Sequence, residues 1–387
     1  MIYLNNAATS FPKPKNVIDA VHEYMYAPPF HSSRAGFERM KEDIVYYARE
    51  NLAKLLNVDE PLNIIFTSGS TESLNLSIYG IPFEGKHFVT TGIEHNSVLR
   101  PLKTLEQEGK ITMTIVPCDE NAYVEPEAIK EAIQEDTIAV VVNHSSNVTG
   151  TILDLKEIAN TAHDQDCFFI VDGSQSTGNI PIDLSDWDVD LFAFTGHKSL
   201  YGLQGVGGLY IKPGIELRPL IVGGTGTKSE VLTQPEGMPI YYEAGTPNMP
   251  GIISLAAGTD FIFEEGLENI KDHKVKLVKK MMDELRDYSG VRILNTSERN
   301  SMSNFCFTVE NMVPEEVGYI LDSSYDIIVR TGLHCAPLLL EPLGVHPWGT
   351  IRTSPSYFTK ENEIDKFIGA VKEIADMGQK KKNNNHK

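Results

Sequence analysis

Seven short, mostly apolar runs separated by longer amphipathic stretches dominate residues 17–255. The runs are Ile64-Ile-Phe66, His87-Phe-Val89, Thr112-Met-Thr-Ile-Val116, Ile138-Ala-Val-Val-Val142, Phe168-Phe-Ile-Val171, Leu191-Phe-Ala-Phe194 and Gly208-Leu-Tyr-Ile211. Between them, 40–56, 72–79, 97–108, 125–134 and 155–164 carry apolar residues three and four apart. Short apolar runs suit strands buried on both faces, and the intervening segments suit helices that cover those faces. The alternation predicts an α/β fold built on a mixed, mostly parallel, seven-stranded sheet.

After Gly251 the texture changes. A long helical region over 252–287 leads into Val291-Arg-Ile-Leu294, Ser303-Asn-Phe-Cys-Phe-Thr308, a helix over 314–322 and a last helix over 361–376. The expected division is a large domain over 15–255, a smaller α+β domain from 1–14 and 256–377, and a disordered tail over 378–387, where the basic run Lys380-Lys-Lys382 lies. Residues 222–250, which open on Val222-Gly-Gly-Thr-Gly-Thr-Lys228 and end on Pro250, are too polar and irregular for regular structure and read as a functional loop.

The 34 basic and 53 acidic side chains give a net charge of −19. Nucleic-acid and anionic-membrane surfaces need basic patches, so neither partner is expected. No window approaches the roughly 18 apolar residues of a membrane span, and MIYLNNAATSFPKPK lacks the charged leader and apolar stretch of a signal peptide. A cytoplasmic protein is expected. Cys118, Cys167, Cys306 and Cys335 lie far apart with no C-x-x-C, which suggests reduced thiols and no zinc or other metal site.

Two runs end in chemistry-bearing residues: Phe169-Ile-Val-Asp172-Gly-Ser-Gln175 and Phe194-Thr-Gly-His197-Lys198. Strand carboxyl ends are where crevices form in open α/β sheets. Asp172 alone reads equally as a helix cap or salt-bridge partner. Lys198, between His197 and the glycines 202, 205, 207 and 208, is poorly placed for a surface charge. A partly desolvated amine forms Schiff bases, and a carboxylate facing a ring nitrogen keeps it protonated, which together are what pyridoxal phosphate requires of a protein.

Other strand ends add to this pattern. In Phe66-Thr-Ser-Gly69-Ser70-Thr71-Glu72 a small-residue turn opens a helix, so backbone N–H groups and two hydroxyls converge where a phosphate is favoured, although Ser and Thr also serve as plain caps. The segment has no G-K-[ST] ending, which argues against a nucleotide P-loop. His95 in Thr91-Gly-Ile-Glu94-His95 could stack on a flat ring, and Asn147 in Asn143-His-Ser-Ser-Asn147 could bond a substrate carboxylate or a cofactor oxygen. Cys335 in Arg330-Thr-Gly332-Leu-His334-Cys335-Ala336 sits among polar residues that favour a thiolate, and Arg352 in Gly349-Thr-Ile-Arg352 offers a bidentate fork to a carboxylate.

In order along the chain, LNNAAT, SGSTE, EHNSV, NHSSNVTG, VDGSQS, FTGHK, EAGTPN, RTGLHCA and TIRTS resemble the cysteine desulfurase and selenocysteine lyase branch of the class V aminotransferases, fold-type I pyridoxal phosphate enzymes. The resemblance implies that Lys198 is the Schiff-base lysine, Asp172 the partner of the pyridine nitrogen, Gln175 the donor to the ring hydroxyl and His95 the stacked ring. By the same likeness Ser70, Thr71 and His197 would hold phosphate beside Thr195, with Thr246 supplied by the second subunit of a homodimer. Asn147 and Arg352, with Asn6 and Ala8 of the opening motif, would meet the substrate, L-cysteine or L-selenocysteine. Cys335 would take the sulfur as a persulfide and pass it to an acceptor protein for iron–sulfur or thiolated cofactor synthesis.

The short loop around Cys335 is most similar to type II desulfurases. Leu333 stands where those often have histidine, and Gly223-Gly-Thr-Gly-Thr-Lys-Ser229 differs from their usual glycine loop. A selenocysteine lyase or an aminotransferase would keep the cofactor and dispense with Cys335; a non-catalytic assembly partner would need neither.

Overall fold

The computed structural model describes residues 1–26, 43–294 and 304–385. Its first half is β1 (Ile2–Tyr3), α1 (Lys15–Tyr26), α2 (Ile44–Leu56), β2 (Ile64–Thr67), α3 (Ser70–Gly80), β3 (Lys86–Thr91), α4 (Asn96–Gln107), β4 (Ile111–Val116), α5 (Pro126–Ala132), β5 (Thr137–Asn143), α6 (Leu155–His163), β6 (Phe168–Asp172), β7 (Leu191–Thr195) and β8 (Gly207–Ile211). The remainder is α7 (Met249–Glu265), α8 (Leu267–Leu285), β9 (Val291–Ile293), β10 (Phe305–Val309), α9 (Pro314–Tyr325), β11 (Ile327–Ile328), β12 (Arg330–Gly332), β13 (Thr350–Thr353) and α10 (Glu361–Asn385).

All seven apolar runs are strands of one sheet, in the order β2-β8-β7-β6-β5-β3-β4. Only β8 runs against its neighbours. Alternate residues of a strand point to opposite faces. On β5, Val140 and Val142 accordingly join one core while Ala139 and Val141 join another; on β7 Phe192 and Phe194 part from Leu191 and Ala193 in the same way. Each fully buried phenylalanine or leucine of this kind contributes about 1.5–3 kcal/mol relative to exposure. Helix starts obey local chemistry: the Asp43 carboxylate accepts from Val45 N–H at the head of α2, Asp154 from Glu157 N–H at α6, and Asn248 from Gly251 N–H at α7.

A second, antiparallel sheet of order β12-β13-β10-β9 packs with α8, α9 and α10 around Phe305, Phe307, Ile351 and Phe367. Ile2 and Leu4 enter this core, and β1 pairs in parallel with β11. The helical region expected over 252–287 is two helices, because Gly266, at φ +84°, turns the chain between α7 and α8. The expected boundary at residue 255 falls inside α7, whose Ile252, Phe261 and Ile262 lie in a core of the large sheet. α8 instead bridges the layers, with Ile270 in that core and Leu277 and Met281 in the second.

The tail expected to be disordered continues α10 through Asn385, and Lys381 pairs there with Glu316. Residues 212–248 hold no helix or strand; of the segment 222–250 expected to be irregular, the last two residues, Met249 and Pro250, instead open α7. Residues 40–42 of the helix expected over 40–56, Ser303 of the expected strand and residues 386–387 lie outside the described residues.

Candidate active site

A cavity of about 500 Å³ opens at the carboxyl ends of the large sheet's strands, between that sheet and the second one. Lys198, Cys335, His95, Ser70, Thr71, Asn147, Gln175, Thr195, His197, Arg352 and Ala8 all line it. Asp172, the last residue of β6, lines an adjoining recess together with Lys198, His95 and Gln175. Two expected residues stand apart. Thr246 is exposed and faces a neighbouring depression that shares Ser68, Glu72 and Gly205 with the cavity. Asn6 is spent on backbone: its amide donates to Ser354 O at 2.9 Å and its oxygen accepts from Phe11 N–H at 3.0 Å.

β2 delivers the turn that opens α3. Gly69 there adopts φ +149° and provides no side-chain cap, so the first N–H groups of α3 stay available beside the hydroxyls of Ser70 and Thr71. A Cβ on Gly207 of β8 would lie 2.7 Å from Gly69 Cα and 2.5 Å from Phe194 O, so only glycine lets β8 run this close beneath the turn. Helix dipole, uncapped donors and hydroxyls together suit an anionic group. His197, at the far side, has an unpartnered buried Nδ1, and burial lowers its pKa to about 4.

Asp172 is held by the Ser174 backbone N–H at 2.9 Å and by the Ser174 hydroxyl. His95 caps α4: its Nδ1 accepts from Ser97 N–H at 3.1 Å, which leaves the proton on Nε2. Burial lowers the His95 pKa to about 4, against the opposing pull of Asp172, so the ring is neutral and able to lie flat against an aromatic system. Burial likewise lowers Lys198 to about 8, with Asp172 acting in the other direction. An amine so poised exists in both protonation states near neutrality, as a proton carrier requires.

His334 and Cys335 both adopt left-handed backbone, at φ +52° and +60°, strain that the surroundings must maintain. They do so through several bonds: Asn96 N–H donates to Cys335 O at 2.8 Å, Asn147 Nδ2 to His334 O at 2.6 Å, and the His334 ring meets Thr350 Oγ1 at 2.8 Å. The thiol is half-buried on the cavity. A thiolate there favours the charged forms of both Lys198 and Arg352. His334 faces Thr350, and burial holds its pKa well below the ordinary value, so it supplies no cation to the thiol.

β12 and β13 are in register with Arg330 opposite Arg352. Residues paired across an antiparallel ladder share a face, and both arginines line the cavity. Arg352 donates to Asn147 O at 2.6 Å and to Asn5 Oδ1 at 3.2 Å, while its Nε is buried without a partner. Two guanidinium groups on one wall, with Arg352 lowered to about 10 by burial and by Arg330, make a receptor for a carboxylate. Sequence reasoning used Arg330 only as a neighbour of the thiol. The missed signal was that RTG and TIRT could pair as strands.

Glu94 is the other residue that sequence reasoning passed over. It is fully buried, accepts from the Thr91 hydroxyl at 2.6 Å and from Asn143 N–H at 2.9 Å, and burial raises its pKa to about 8, with nearby Asp172 adding to the rise. Asn143 in turn pairs with Asp172 across β5 and β6.

An uncapped helix head beside two hydroxyls, a buried carboxylate, a flat neutral ring and a proton-carrying lysine form a donor set that fits pyridoxal phosphate. The class is that of the fold-type I enzymes, and the chain belongs to the class-V aminotransferase family, whose profile matches residues 2–367. The particular relatives narrow it. The chain is 33% identical over 386 residues to a probable cysteine desulfurase of Methanothermobacter thermautotrophicus, covering 97% of this chain and 95% of that protein. It is 31% identical to the cysteine desulfurase IscS of Dictyoglomus turgidum, covering 96% and 94%. Among solved structures it is similar to the apo cysteine desulfurase of Thermococcus onnurineus NA1, with a TM-score of 0.89 and 30% identity over 97% of this chain and 94% of the other.

Proposed function

We propose that the chain is a pyridoxal phosphate-dependent cysteine desulfurase that converts L-cysteine to L-alanine and carries the sulfur away on Cys335. One observation carries the reading: Lys198, Cys335 and the Arg330–Arg352 pair line a single cavity. Bound there, pyridoxal phosphate would supply an electron sink for a carbanion at the substrate Cα. Ser70, Thr71 and His197 would hold its phosphate, and Asp172 would keep the proton on its ring nitrogen. Arg352 and Arg330 orient the substrate carboxylate. Lys198 Nζ takes the Cα proton and returns a proton to carbon.

The Cys335 thiolate attacks the substrate sulfur, forming an S–S bond as the Cβ–S bond breaks. The released electron pair stays with Cβ, which becomes the methyl group of alanine once protonated, and a persulfide remains on Cys335. In this reading the enzyme is a homodimer in which Thr246 serves the partner's site, and an acceptor protein collects the sulfur. The strained loop supports such a handover, since it keeps the thiol at the cavity mouth, half-exposed.

Purified protein loaded with pyridoxal phosphate and mixed with L-cysteine is expected to release alanine. Mass spectrometry should then find one added sulfur atom on the peptide containing Cys335. Cys335→Ala is expected to lower alanine and sulfide formation by more than about 100-fold. Cysteine consumption without alanine, or a C335A variant as fast as the parent on cysteine, selenocysteine or amino donor and keto acid pairs, would overturn the assignment.

A further inference from the structure

A second, smaller chamber of about 20 Å³ shares Ala7, Gln175 and Lys198 with the large cavity. Two lysines reach its wall, Lys198 and Lys274, the second from α8. The rest of the wall is hydroxyl, amide and small side chains, among them Ser199, Ser356 and Asn6. Among the described residues, no aspartate, glutamate or histidine lines it.

Lys274 is only 3% exposed, and no carboxylate among the described residues pairs with it. Its ammonium group donates to Asn179 Oδ1. An ammonium carries three N–H donors, so this contact satisfies part of its capacity and none of its charge. Burying an uncompensated cation is costly, and buried charges are therefore paired or provided with a counter-ion. The cost is visible in the acidity of the group, which burial alone lowers to about 7. A chamber of this size holds one water-sized guest.

We propose that the chamber binds a small monovalent inorganic anion, chloride or bromide, as the counter-ion of Lys274. The Lys274 ammonium raises the local potential there, and no acidic side chain among the described residues lines the chamber to oppose it. The ion is a fixed internal component, separate from the substrate carboxylate, which would meet the arginine wall of the large cavity. The inference stands on the chamber and does not depend on the desulfurase reading.

The protein as purified, transferred to buffers in which chloride or bromide replaces gluconate at constant ionic strength, tests it by thermal melting. The midpoint is expected to rise saturably with halide, by about 2 °C at tenfold the dissociation constant, and Lys274→Met is expected to abolish the dependence. Independently of any variant, a bromide-soaked crystal is expected to show an anomalous peak within hydrogen-bond distance of Lys274 Nζ. Halide-independent melting, an equal response in K274M, or a chamber holding only water in the bromide crystal would overturn the proposal.

Discussion

Glu94 shows how a single residue can be important and still invisible in the chain. In EHNSV it reads like any acid before a helix; only the fold buries it against Thr91 and Asn143, on the strand beside Asp172. Because the folded pKa, about 8, is raised above the ordinary 4.5, the native state holds a proton that the unfolded state loses. Its contribution to stability is fully present below pH 4.5 and lost as pH rises through about 8. Glu94→Gln keeps the shape without the titration. Urea unfolding at several pH values between 5 and 8 is expected to show the parent falling more steeply than E94Q, by up to about 1.4 kcal/mol per pH unit. Parallel curves would mean that Glu94 is ionised. By contrast, Asp172 and Lys198 were legible because each closes a mostly apolar run, and a run of that kind fixes both the strand and its end. Asn147 was legible as a polar group beyond a strand end and Gln175 through the family resemblance, but their present bonds, to His334 O and Ala7 O, depend on segments distant in the chain.

At the level of elements, the large sheet could be read from the sequence and the second sheet only partly. Seven apolar runs are self-announcing, whereas β12 and β13 are short, polar and rich in glycine and threonine, so they carried a motif and no strand signal. Their pairing is what places Arg330 opposite Arg352, two like charges that would be unfavourable without a ligand between or beside them. Arg330→Met is therefore expected to raise the KM for L-cysteine about 10- to 100-fold with a smaller change in kcat, as the proposed contact with the substrate carboxylate implies. Steady-state kinetics across a cysteine series settle it: an unchanged KM would remove Arg330 from substrate binding. The same pairing explains Gly349, whose Cβ would lie 2.2 Å from Gly332 O, so β13 can enter only beside a bare backbone.

For the molecule as a whole, the layers are tightly tied. α8 contributes to both cores, and α7 runs unbroken through residue 255. The segment after β8 leaves Leu220, Ile221, Val222, Val231 and Leu232 exposed, an apolar surface near the depression that holds Thr246. Exposed apolar surface of this extent suits an interface between copies, in keeping with the homodimer proposed above. Light scattering is expected to give a dimer mass. Leu232→Asp is expected to weaken association at least about 10-fold, one residue's apolar burial, and to lower activity in proportion to the monomer formed. A monomeric, fully active parent would refute the arrangement.

Residues 2–10 join the two sheets. Leu4 N–H donates to Ile328 O, Ser354 N–H to Leu4 O, and Ser10 N–H to His197 O, immediately before Lys198. During synthesis this strip is made hundreds of residues before the partners at 328 and 354 exist. Closure of such a long loop comes late. The pocket proposed for the cofactor is therefore complete only after residues 328–354 have been made and have closed on this strip.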